Sequence, residues 1–305
     1  MSYKTETGNM LTKTEAIEFL QIEWKIENVE QQLQNDREKF LNKLIFTAHE
    51  MVPFQMLFIG KLALIPPEER KVPSMAEIDH MCMSGNGGNC VVINMFMSRL
   101  LKALGYSAFV CRATVTSYVF NSHLIVIVKD LVITGDLHLV DCGLGLPSFR
   151  AISLNFNEES PVYRDSFLQY KFIKLDGKVL RMHGDGDVVV RKDRPIEDLD
   201  FICGKWRRFY EFTIETLECE NLEDLGPVFS LAYLPKLKPR AARFPGGKAV
   251  LLNEGNILSI EQEDKTLKTV TLQSKEALQV FKHYFPSISE DLVQQAYSTW
   301  QKSRL

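Results

Sequence analysis

The sequence predicts an α+β fold laid out in three consecutive zones, because the type of hydrophobic periodicity changes twice along the chain. Helix-type spacing dominates from Thr14 to Leu104, short β-rich runs take over from Tyr106 to about Arg208, and strand-like and helical pieces mix from Phe209 onward. The divisions fall at residues 1–105, 106–208 and 209–305. With 45% hydrophobic and 25% charged residues, the 305-residue chain has the composition of a soluble globular protein. A net charge of −3 gives no general attraction to nucleic acid or anionic membrane, so any anion must be met by a local cluster. Met1 to Thr14 has no apolar leader core, and the longest apolar runs, such as Leu124 to Val128, fall far short of the ~20 residues that span a bilayer. The six cysteines, Cys82, Cys90, Cys111, Cys142, Cys203 and Cys219, show no C-x-x-C pair and read as free thiols of a cytoplasmic protein.

In the first zone, Asn35 or Asp36 can cap a helix whose apolar residues Phe40, Leu41, Leu44, Ile45 and Ala48 recur at three and four, and Pro53 stops it. A loop rich in proline and charge, Pro66 to Ser74, follows. Cys90 to Leu104 is a second helix, entered from Gly87-Gly88-Asn89, with Lys102 in its last turn and Gly105 as terminator. In the second zone Phe109, Cys111, Ala113 and Val115 alternate and Leu124 to Val128 is continuously apolar. Val188 to Val190 follows a turn built on Gly184, Asp185 and Gly186, and together these runs make a small sheet or barrel. The third zone offers strand-like pieces at Phe209 to Thr216 and Ala249 to Leu252, then helices opened by Ser274 and by Ser287 with Glu290 three positions on.

Cys90 is the leading candidate for chemistry. It opens an apolar helix whose dipole stabilises a thiolate, and the preceding glycines allow unpaired N–H groups around the sulfur that would also hold an oxyanion. The competing role at such a position is that of a small buried hydrophobe. A reacting thiolate needs a base and a carboxylate that orients it. If Leu124 to Val128 and Leu137 to Val140 form a hairpin, pairing Val128 with either Asp136 or Leu137 sets the register. The first choice puts His123 and Asp141 on one face with Cβ atoms about 5 Å apart, and the second puts them on opposite faces. His49, His138, His183 and His283 have no partner at ligand spacing and read as surface or core residues. His80, Cys82 and Cys90 match no zinc pattern, so no metal site is assigned.

Val52-Pro53-Phe54, Gly87-Gly88-Asn89-Cys90, Ser122-His123-Leu124 and Val140-Asp141-Cys142-Gly143-Leu144-Gly145, in that order and spacing, resemble the arylamine N-acetyltransferases. Trp206 to Phe212 is similar to that family's aromatic segment before the lid, so the resemblance spans nearly the whole chain. It implies a cysteine-protease-like three-domain architecture: an N-terminal helical bundle, a central β-barrel and a C-terminal α/β lid. It also implies a ping-pong transfer of acetyl from acetyl-CoA to an aromatic amine or hydrazine. By the resemblance Cys90 accepts the acyl group, His123 is its proton partner, Asp141 orients the imidazole, and the Gly143 and Gly145 backbone lies along the pantetheine arm of coenzyme A.

Three departures stand out. Asn86-Gly87-Gly88 replaces the family's usual Arg-Gly-Gly, and Pro53-Phe54-Gln55-Met56 replaces Pro-Phe-Glu-Asn. A buried ion pair exchanged for a neutral amide pair would put the side chains of Gln55 and Asn86 within hydrogen-bond reach. In the lid, a serine-rich segment gives way to a basic one carrying Lys236, Lys238, Arg240, Arg243 and Lys248. Lys238 and Arg240 would meet the phosphates of coenzyme A, or the segment is a solvated basic loop. Phe54, Val115 and residues near Phe229 would shape the acceptor pocket. The same triad also serves cysteine hydrolases and transglutaminase-like enzymes, and a family member with a relaxed scaffold would be a binding protein. Neither the acceptor nor the oligomeric state is written in the sequence.

Overall fold

The computed structural model describes residues 11–62, 64–66, 69–116, 121–189, 201–214 and 238–302. Parts of the segments discussed above, at Pro67 and Glu68, Val190, Thr216, Cys219, Phe229 and Leu234 to Leu237, lie outside the described residues. Helices α1 (Lys13–Ile22), α2 (Val29–Asn35) and α3 (Arg37–Met51) come first. Thr12 and Glu15 close a capping box on α1, and the Asp36 carboxylate accepts from Lys39 N at 2.8 Å to start α3. The short strand β1 (Phe54–Gln55) and helices α4 (Leu57–Leu62), α5 (Met75–Met83) and α6 (Cys90–Ala103) follow.

Helix α6 is the centre of the molecule. Every residue from Cys90 to Ser98 is buried, so it lacks the polar stripe of a surface helix, and it packs on α1, α5 and the strands that follow. Its half-buried cation, Arg99, is tied to Asp79 of α5 at 2.7 Å. Each large apolar side chain removed from water here contributes roughly 1.5–3 kcal/mol.

The next nine strands are β2 (Ser107–Val115), β3 (His123–Lys129), β4 (Leu137–Val140), β5 (Ile152–Ser153), β6 (Tyr163–Asp165), β7 (Leu168–Leu175), β8 (Lys178–His183), β9 (Ile202–Cys203) and β10 (Trp206–Phe212). They form one antiparallel sheet curled into a half-barrel, ordered β5-β4-β3-β2-β10-β8-β7-β6, with β9 on β10. A second sheet runs β1-β11-β12-β13-β14, from β11 (Ala241–Arg243), β12 (Val250–Asn253), β13 (Ile257–Glu261) and β14 (Leu267–Thr271). Helices α7 (Ser274–Tyr284) and α8 (Glu290–Lys302) complete the described chain.

Three local expectations need correction. The stretch that begins at Phe209 is part of β10, which pairs with β2 and β8, so it belongs to the half-barrel and not to the C-terminal sheet. Helix α7 is capped by Gln273 with Glu276, and the hydroxyl at the start of α8 is Ser289, which accepts from Leu292 N at 3.3 Å. The β3–β4 hairpin pairs Val128 with His138 and Val126 with Val140, a longer connection than either register considered. Asp136 explains it: its carboxylate turns back to accept from the N–H groups of Leu131, Val132 and Ile133, which keeps Asp136 in the turn.

Candidate active site

The segment Pro53 to Gln55 lies against Gly87-Gly88, with Gln55 N donating to Gly88 O at 2.8 Å and Gly88 N to Pro53 O at 3.3 Å. Gly87 has φ +65°, and a Cβ there would stand 1.9 Å from Pro53 O, so the motif needs glycine to let two backbones meet. The N–H groups of Gly87 and Gly88 are bonded to Met81 O and Pro53 O, so they are not turned toward the sulfur as the glycine argument expected. The donors left near the thiol are those of the first turn of α6, which have no intrahelical partner. Asn89 caps that turn, its side-chain oxygen accepting from Val92 N at 3.2 Å.

Cys90 is the first residue of α6, 9% exposed, with Sγ 3.7 Å from Ser122 O. His123 is the first residue of β3 and is almost completely buried. Its Nε2–H donates to Asp141 Oδ2 at 3.0 Å, and the Cys90 sulfur is its other polar neighbour. Asp141 sits one residue past the end of β4. The observed hairpin register differs from the same-face choice by two residues, which preserves which face each side chain takes, so His123 and Asp141 meet as diagonal neighbours.

Asn94, absent from the candidates read from the sequence, ties this group together. Asn94 lies one turn after Cys90 on the same face of α6 and has no solvent exposure. Its Nδ2 donates to Leu124 O at 2.6 Å and to Asp141 Oδ1 at 3.0 Å, and its Oδ1 accepts from Cys142 N and Gly143 N, both at 3.1 Å. The i, i+4 spacing from Cys90 was the signal that could have identified it. Tyr210 of β10 lies with its ring 5.4 Å from that of His123, and its buried hydroxyl is near Asp141 and Arg181 without a well-formed hydrogen bond.

The electrostatics follow from burial and pairing. Burial alone would push the His123 imidazolium toward deprotonation, yet the Asp141 carboxylate and the Cys90 sulfur outweigh it and hold the ring up at about 10. Burial opposes ionisation of Asp141 as well, but His123, Arg181 and Asn94 hold its carboxyl below the usual range. His49 on α3 is buried against Phe149 and Phe244 and pushed down to about 4, chiefly by desolvation. Its Nε2 is bonded to Ser148 O at 3.0 Å, a satisfied core histidine.

The remaining candidates are dispersed. A Cβ on Gly143 would lie 2.8 Å from Cys90 Cα, and one on Gly145 would lie 2.7 Å from the Phe54 ring, so packing against those two residues already requires both glycines. Arg240 stands over the Phe54 ring at 5.0 Å, whereas exposed Lys238 is paired with Glu254. Arg243 and Lys248 are likewise engaged, with Glu50 O and Glu263. The Gln55–Asn86 amide pair is not formed. Gln55 Oε1 accepts from Leu57 N and Phe58 N, its Nε2 reaches only the main-chain oxygens of Asn86 and Gly87 at 3.5 Å, and Asn86 turns to Ser84. Among the described residues no group of three or more His, Cys, Asp or Glu could hold a metal ion, and no helix is long and apolar enough to cross a membrane.

A family model described as N-acetyltransferase matches residues 39–289. Among solved structures, the arylamine N-acetyltransferase from Mycobacterium abscessus is similar at 16% identity, covering 97% of this chain and 99% of that one with a TM-score of 0.71. The Mycobacterium marinum arylamine N-acetyltransferase in complex with CoA is similar at 16% identity, covering 94% and 98% with a TM-score of 0.70. The Salmonella typhimurium arylamine N-acetyltransferase is similar at 13% identity, covering 93% and 98% with a TM-score of 0.66. Likeness at such identities is likeness of fold. No curated protein matches by sequence.

Proposed function

The chain belongs to the N-acetyltransferase family, a family of enzymes, and from that membership and the arrangement at Cys90 we propose that it carries an acetyl group from acetyl-CoA to an aromatic amine or hydrazine. The observation that carries the proposal is the buried chain Cys90, His123, Asp141, locked by Asn94, at the start of a helix. The Cys90 thiolate attacks the thioester carbonyl, forming a new C–S bond, and the bond to coenzyme A breaks as the His123 imidazolium gives its proton to the departing thiolate. The amine nitrogen then attacks the acyl-enzyme and passes its proton to His123, and the Cys90 thiolate leaves, which restores the starting ion pair. First-turn N–H groups of α6 serve the developing oxyanion, because those of Cys142 and Gly143 are already given to Asn94.

By the same proposal the architecture is cysteine-protease-like in three domains, a helical part over residues 1–105, the half-barrel, and a lid. Since β10 is part of the half-barrel, the lid begins after Phe212 in place of residue 209. Coenzyme A would pass Gly143 and Gly145 beside Cys90, with Arg240 the better placed of the two cations for a phosphate because Lys238 is held by Glu254. The free cysteines Cys82, Cys90, Cys111, Cys142 and Cys203 support work in the reducing cytoplasm.

The test is a two-step transfer. Protein treated with acetyl-CoA and freed of it by gel filtration should acetylate an added aromatic amine in a single turnover. Release of acetate at the same rate with and without the amine would make the chain a hydrolase instead.

A further inference from the structure

We propose that Arg181 is a positioning residue for this reaction: a buried cation that balances the one net negative charge carried by an ionised Cys90–His123–Asp141 group. Arg181, on β8, is among the largest side chains with no solvent exposure. An unpaired charge in such a place costs several kcal/mol, so packing alone does not explain a guanidinium there. It stacks over Tyr170 at 4.3 Å and lies 5.9 Å from the ring of Tyr210, the residue set against His123. Its Nη2 donates to Pro147 O at 2.9 Å, on the segment that continues from Asp141, and its Nε donates to His183 Nε2 at 3.0 Å. Nη1 is buried and has no hydrogen-bond partner, so part of the cation is not consumed by structure.

The charges around it divide cleanly. The groups that face Arg181 are Asp141, His49 of α3, His183 of β8, Tyr170 of β7 and Tyr210 of β10, with Asp165 behind the Tyr170 hydroxyl and Asp187 behind His183, its Oδ1 3.5 Å from His183 Nδ1. Asp165 has its own cation, Arg150. His49 is held neutral by burial, and both phenols are pushed toward their neutral forms by burial. Asp187 lies beyond the His183 ring and also accepts from Val189 N, so Asp141 is the buried anion that answers Arg181, and the guanidinium is one of the groups that hold it ionised. Two negative charges and the His123 imidazolium sum to one negative charge, which Arg181 cancels within the same buried volume. Removing the cation leaves one negative charge unbalanced in a buried volume, which disfavours the ionised group as a whole.

The inference rests on Cys90 being the reactive thiol, and one experiment separates the two. Iodoacetamide modification of Cys90, mapped by peptide mass against the exposed Cys203, is followed from pH 5 to 9 in the wild type, Arg181→Met and Arg181→Lys. The expected result is that Cys90 is modified faster than Cys203 below neutrality in the wild type, about tenfold more slowly in Arg181→Met, and near the wild-type rate again in Arg181→Lys. A wild-type Cys90 no more reactive than Cys203 overturns the underlying assignment together with this inference. A wild-type rate advantage that Arg181→Met leaves in place overturns this inference alone. Should Arg181→Met fail to fold, the double variant Arg181→Met, Asp141→Asn decides. Recovery of a folded protein supports charge balance, and failure of the double variant to fold overturns it by making Arg181 a packing residue.

Discussion

Asn94→Ala is the perturbation whose cost can be worked most fully from the structure. The side chain satisfies the carbonyl of Leu124, the N–H groups of Cys142 and Gly143, and one oxygen of Asp141, all in a region without solvent. Each backbone group left buried without a partner costs about 1–3 kcal/mol. With each taken at the low end, because the 142–143 segment can relax, and with the lost bond to a carboxylate added, the expected destabilisation is about 4 kcal/mol. That is a large part of the roughly 5–15 kcal/mol that holds a protein folded. Asp141 would lose its anchor and the imidazole its fixed direction, so acetyl transfer should fall about 100-fold in the folded fraction, with little change in the KM for acetyl-CoA. Urea unfolding gives the first quantity and single-turnover transfer the second. Asn94→Asp serves as a control that keeps the acceptor but sets a carboxylate against Asp141, and it should be at least as damaging. A loss below about 1 kcal/mol with transfer intact would refute the claim that Asn94 links the helix to the carboxylate.

Two other expectations follow from burial and charge. Stability should fall on both sides of neutrality. The His49 contribution, present in full above 6.5 because the ring folds neutral, is lost as pH drops through about 4, an effect of up to about 3 kcal/mol that His49→Gln should flatten in acid thermal melts. The His123 contribution, present in full below 6.5, is lost as pH rises through about 10, and Asp141→Asn should remove that alkaline slope. Among the basic residues, Arg240→Ala should raise the KM for acetyl-CoA several-fold in a salt-dependent way, whereas Lys238→Ala should do less because Glu254 already neutralises it. Equal and unchanged KM values would leave the segment as a solvated loop.

What the sequence could and could not reveal divides along local and long-range physics. The start of α6 was legible because Asn89, Cys90 and the apolar run behind them act through adjacent backbone. For His123 and Asp141, strict alternation along a strand offered a same-face and an opposite-face arrangement without choosing between them, because the register depended on Asp136 folding its carboxylate into the turn, which alternation does not encode. The Gln55–Asn86 pairing failed because Gln55 found nearer donors in its own following turn. Assigning Phe209 to the third zone failed because a strand shows its own period and not which sheet it joins. Arg181 was illegible for the same reason: only the folded sheet shows that an arginine between Leu180 and Met182 is wholly buried near a carboxylate.

The central claim, that the acyl group passes through the sulfur of Cys90, is tested most directly by intact-mass measurement after brief exposure to acetyl-CoA. One acetyl adduct, mapped to the peptide that contains Cys90 and absent from Cys90→Ser, is the predicted result. An unmodified wild type, or the same adduct on Cys90→Ser, would contradict it.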